Sequence, residues 1–127
     1  MNIKLIVNNL LKLTMYKHIT WIRKNPPSFL SSSPENAIIF YYETVYKSKT
    51  FAIYEQQEHI FSQDIGEFFI GTKFHLATIG YNELTESPSD AYIFDTDDVS
   101  LYPLYQNVKR EVLDVNSLFS PDFWSKD

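Results

Sequence analysis

Cysteine is absent from this 127-residue chain, which removes disulfides, thiolate nucleophiles and cysteine metal ligands together. Glycine is nearly as scarce. Three residues in the whole sequence all but exclude backbone cradles for phosphate, and no phosphate-binding loop, dinucleotide fingerprint or nucleophile-elbow motif occurs. No apolar run approaches the ~18 residues of a membrane span, so no membrane role is expected. Positive charge is missing from Phe74 to Val108, which holds neither Lys nor Arg.

What is present points to one globular domain over residues 1–127. Hydrophobic residues make up 44% and charged residues 21%, ordinary globular usage that a single core can organise. Ten Phe, nine Tyr and two Trp are the departure from average. Most of them belong in a core, while Tyr also serves as an amphipathic contact residue at interfaces. The opening MNIKLIVNNLLKLT has an apolar run broken by Asn8 and Asn9, with no small-residue cleavage pattern after it. It therefore reads as a helix of the folded protein rather than a leader, and the location is expected to be cytoplasmic.

The periodicity sets out an order of elements. Ile3, Ile6, Val7, Leu10 and Leu13 follow helical spacing over residues 2–13, with Leu5 breaking the stripe. Met15, Ile19 and Ile22 suit a second helical stripe, although Leu13, Met15, Ile19 and Trp21 also fit strand alternation; helix is the expectation. The prolines and serines of residues 26–34 predict a loop, and Ser33, Pro34 and Glu35 could start a helix. β-Branched and aromatic residues predict a hairpin of strands 37–46 and 50–55. Phe61, Ile65, Phe68 and Phe69 fall on one helical face, predicting a helix over residues 57–69. FHLATIGY and AYIF read as strands paired across the polar loop NELTESPSD, and VSLYPLY as a sheet extension in which Pro103 marks an edge or bend. Residues 107–118 stay open between helix and strand. A Ser-Pro-Asp helix start at residues 120–122 would dock Phe123 and Trp124 on the body. The fold class expected is α+β, an antiparallel sheet packed against helices.

The stretch IFDTDDV, residues 93–99, resembles the first motif of haloacid dehalogenase-type phosphohydrolases. The resemblance implies Asp95 as nucleophile and Asp97 as acid/base, with magnesium offsetting their charge. That chemistry also needs a parallel sheet and later segments supplying a hydroxyl, a Lys and further acids, for which the 29 residues after Asp98 are too few. Counted as a calcium loop from Asp95, the stretch has Ser100 where Gly is needed and Gln106 where a bidentate Glu is needed. His18, His59 and His75 form no paired metal-ligand spacing. Neither a cofactor nor a metal is expected, and His75 reads as a structural strand residue.

Charge carries the functional expectation. Net charge is −5, yet Lys4, Lys12, Lys17, Arg23 and Lys24 occupy residues 1–34 with no acid among them. Glu83, Glu86, Asp90, Asp95, Asp97 and Asp98 crowd the cation-free stretch. Such a field opposes nucleic-acid binding and attracts a basic protein, with Tyr81, Tyr92 and Tyr102 as candidate contacts. The expectation is a non-catalytic, acidic protein-binding module, most concretely an immunity- or antitoxin-type inhibitor of a basic toxin or nuclease. Neutralising Asp95, Asp97 and Asp98 together is then expected to spare folding. The alternative is a small enzyme or ligand-binding domain whose aromatic-lined pocket uses Asp95, Asp97 or His75. Oligomeric state is left open.

Overall fold

A computed structural model describes residues 2–31 and 33–125. Helix α1, Ile3–Met15, begins where the Asn2 side chain accepts the N–H of Leu5 at 3.2 Å. It buries Val7, Leu10 and Thr14 and leaves Leu5 exposed. The second helical stripe does not form. His18 N–H reaches back to the Leu13 carbonyl at 2.8 Å, with Lys17 in the left-handed region at φ 60°, a backbone exit that ends the helix. The chain then alternates, burying Ile19 and Trp21, and forms the short strand β1, Ile22–Arg23. Thr14 ties the two segments: its hydroxyl donates to the Leu10 carbonyl at 2.7 Å and accepts the Trp21 indole N–H at 2.9 Å.

The rest of the sheet is a meander of β2 (Ile38–Tyr46), β3 (Lys49–Ser62), β4 (Glu67–Tyr81) and β5 (Pro88–Ile93). With β1 they form five antiparallel strands in sequence order. The expected hairpin is present, its turn made by Lys47 and Ser48, both at positive φ, the backbone that matches the twist of the flanking strands. The loop over 26–34 is interrupted only by short 3₁₀ turns, Ser28–Leu30 and Pro34–Asn36; Ser32 lies outside the described residues.

Three further expectations are corrected. Residues 57–69 are not helical: they are the far half of the β3–β4 hairpin, turning at Gly66 (φ 66°), with Phe61 opposite Phe68 at a ring separation of 5.0 Å. An i to i+7 pair shares a helical face, but it also faces itself across a hairpin. VSLYPLY is not a sheet extension. It opens helix α2, Asp98–Val112, with Pro103 inside, because Leu101, Leu104, Tyr105 and Val108 make a buried i, i+3, i+4, i+7 stripe. The C-terminal turn Pro121–Trp124 is 3₁₀, and Phe123 and Trp124 are exposed, packing on each other at 4.9 Å.

Both helices pack on one face of the sheet, as the α+β expectation requires. Val7 and Leu10 of α1 and the stripe of α2 meet Tyr42, Ile53 and Leu76, with Trp21 closing the end. The opposite face packs Tyr41, Ala52, Tyr54, Ala77 and Ile79 under Leu30 and Ile38. Gln56 holds the covering segment by donating to the carbonyls of Leu30 and Asn36.

Candidate interaction surface

The acidic residues fall into two groups. Glu83 and Glu86 sit exposed on the β4–β5 turn, whose shape comes from Asn82: its side-chain oxygen accepts the N–H groups of Leu84 and Thr85. Asp90 is exposed on β5 opposite Gly80, where a Cβ would collide with its carboxylate, and it accepts from the Ser89 hydroxyl at 3.1 Å. Asp95, Asp97 and Asp98 lie past the other end of β5. That strand is six residues long at about 3.3 Å per residue, so roughly 20 Å separates the β4–β5 turn from the far group, with Asp90 on the strand between them. The fold therefore spreads the acids along the length of β5 and does not gather them in one patch.

Two of the far group have local structural work. Asp97 is the N-cap of α2, accepting the Ser100 N–H at 2.7 Å; that bond, with Lys4 nearby, holds its carboxyl below the usual 3.8. Asp98 accepts the Phe74 N–H at 3.0 Å, taking over the β4 edge just beyond the point where Phe94 N–H pairs with the Leu76 carbonyl. Asp95 is exposed. Asp95 and Asp97 also line an open groove of about 510 Å³ between the starts of α1 and α2, together with Asn2, Lys4, Val7 and Ser100. Among the described residues no aromatic side chain lines the groove, and His75 is not part of it. The placement of IFDTDDV at the last strand of an antiparallel sheet, with Asp97 and Asp98 bound to backbone, differs from the parallel-sheet setting that the phosphohydrolase resemblance implies. Among the described residues none of the six acids forms an ion pair.

The three tyrosines separate as well. Tyr92 is exposed and packs edge-on to Phe94, and Tyr102 is exposed beside Phe74 on the first turns of α2. Tyr81 instead lies across the sheet and donates to Glu43 at 2.7 Å. Glu43 is only 4% exposed and also accepts from Tyr41 at 2.6 Å and Lys24 at 3.3 Å. Burial, then the bond to Glu43, pushes the Tyr41 phenol far up, and the bond to Tyr81 leads the causes that raise Lys24. This network escaped sequence reasoning, since its members come from three separated segments; a lone Glu within the apolar strand AIIFYYETVY was its one signal. His75 is a strand residue held by Glu58 at 2.9 Å and packed at a tilt against the Tyr54 ring, as its alternation suggested.

A further surface was hidden by the helix expectation. The β3–β4 ribbon runs beyond both neighbours: β2 pairs with β3 only to Gln56, and β5 pairs with β4 only from Ala77 onward. On this arm Phe61, Ile65, Phe68, Phe69 and Ile70 are exposed. No helix among the described residues is long and apolar enough to cross a membrane, and no group of metal-ligating side chains gathers among them. Comparison with protein-family models, curated proteins and solved structures finds no match.

Proposed function

We propose that the protein is a non-catalytic binding module for a basic protein, met chiefly through Glu83, Glu86 and Asp90. The observation that carries the reading is the exposure of these carboxylates without an ion-pair partner among the described residues, in a chain of net charge −5. Unpaired surface acids steer a cationic partner and fix its register more than they add affinity, so an apolar anchor has to supply the rest. Leu84, 94% exposed between the two glutamates, is positioned for that part. Asp95 adds charge at the far end of β5, whereas Asp97 and Asp98 contribute with carboxylates already engaged by backbone.

The finer reading is an immunity- or antitoxin-type inhibitor, whose carboxylates take the place of phosphates in the groove of a toxin or nuclease. The net charge of −5, the small size and the exposed Tyr92, two residues from Asp90 on β5, support it. The test is a photo-crosslinking residue at Leu84 in the intact protein, with the captured protein identified by mass spectrometry. The expected adduct is a basic protein, lost in Glu83→Gln/Glu86→Gln/Asp90→Asn and lost at high salt, where screening shortens to about 3 Å at 1 M. An adduct indifferent to both changes, or none, overturns the reading. If the inhibitor version holds, adding the protein lowers the captured partner's activity on nucleic acid, and the triple variant does not.

A further inference from the structure

We propose that two copies of the chain join edge to edge along residues 67–73 of β4, in antiparallel register about a twofold axis at Ile70. The inference concerns the ribbon and does not depend on the acidic contact proposed above.

One side of this segment is bonded to β3, and among the described residues no strand pairs with the other. β5 ends at Ile93 opposite Ala77, Phe94 N–H then takes the Leu76 carbonyl, and Asp98 takes the Phe74 N–H. Those last two bonds fix the parity of the backbone. Leu76 and Phe74 direct their groups to the open side, so by the alternation of an antiparallel strand Thr72, Ile70 and Phe68 do too. A bare strand edge of this kind is a template for pairing, and natural edges are blunted by proline, bulges or inward charge. Here no proline occurs in 67–73, and the register irregularity of β4 lies away from it at Gly80 and Tyr81.

The side chains choose the occupant. With the axis at Ile70, each open-side residue meets another: Phe68 faces Thr72 of the second copy, and Ile70 faces its own counterpart. In the same register Glu67 stands opposite Lys73 of the second copy, and by symmetry twice, in the closer non-hydrogen-bonded pairs where opposite charges across strands stabilise. Moving the axis to Gly71 sets Phe69 against Lys73; moving it to Phe69 sets Glu67 against Gly71. The segment is thus matched in charge to itself in one register, and that register also satisfies the backbone. Phe68 and Ile70, 67% and 64% exposed in one chain, would merge with their counterparts into one apolar strip flanked by Phe61. Pairing stops at Lys73 because Asp98 already occupies Phe74.

Sedimentation equilibrium on the full chain tests this, and the absence of native cysteine makes a single-cysteine probe unambiguous. A dimer with a dissociation constant below about 100 µM is expected. Glu67→Lys should weaken it at least about tenfold, Lys73→Glu likewise, and the double swap Glu67→Lys/Lys73→Glu should restore it. Ile70→Cys should oxidise to a disulfide-linked dimer, as a hydrogen-bonded pair holds its Cα atoms about 5.5 Å apart. Because Lys73 also contacts Glu58 at 3.4 Å, circular dichroism must show each variant folded; Glu67→Lys, which leaves that pair intact, carries the test alone if Lys73→Glu unfolds. A monomer at about 100 µM, or a dimer unaffected by charge reversal and uncrosslinked at Cys-substituted Ile70, overturns the proposal. A monomer that still captures a basic protein through Leu84 refutes the pairing and spares the function.

Discussion

The carboxylate of Asp98 accepts the backbone N–H of Phe74 at 3.0 Å, joining the first residue of α2 to an open position on the edge of β4. An acid read from sequence as surface charge therefore closes the sheet where β5 has already turned away. Its loss leaves a part-buried amide without a partner. Asp98→Ala should lower stability by about 1 to 2 kcal/mol, measured by urea denaturation, whereas Asp95→Asn should stay within about 0.5 kcal/mol of the parent. The triple neutralisation of Asp95, Asp97 and Asp98 thus tests folding as much as binding, and the exposed Glu83, Glu86 and Asp90 are the cleaner set.

Acid titration should separate two carboxyls of opposite behaviour. Asp97 is held below 3.8 by its cap bond, so its contribution is present above that pH and fades as pH falls through the lower folded value. Asp97→Asn should flatten this acid limb in thermal melts. Glu111 is shifted up from 4.5 by burial, against the opposing bond from Trp21 N–H. Its contribution is greatest below 4.5 and is lost as pH rises through the folded value, so Glu111→Gln should raise the melting temperature at pH 7.

Two tyrosines paired across β2 and β3 should respond in opposite ways to the same substitution. Tyr41 donates to buried Glu43, and Tyr41→Phe should cost about 1 to 3 kcal/mol by stripping that carboxylate of a donor. The Tyr54 hydroxyl is buried with no hydrogen-bond partner among the described residues, so Tyr54→Phe should be neutral or stabilising. Chemical denaturation of both variants at pH 7 decides it.

Alkaline stability should follow the same phenols. Burial pushes Tyr54 up to about 12 and raises Tyr41 and Tyr105 as well. In the unfolded chain they ionise near 10, so stability is intact below pH 10 and falls as pH rises through the folded values. Tyr105→Phe should shallow that decline, read as the pH dependence of the denaturation midpoint.

Local pattern sufficed for α1, for the β2–β3 hairpin and for the pairing of β4 with β5 across the polar loop. Each is written in short-range periodicity and turn residues: the Ile3-to-Leu13 stripe, Lys47 and Ser48 between apolar runs, and the Asn82 turn. Those elements were enough to set the α+β class and the uneven charge. The tertiary structure alone decided the rest, because the deciding partners are distant along the chain. Phe61 and Phe68 could share a helix face or face each other across a turn, and pairing with the rest of β3 and β4 chose the latter. Tyr81 and Glu43 meet only because three strands set them side by side, and Asp97 and Asp98 became cap and edge anchor only once α2 was laid against β4.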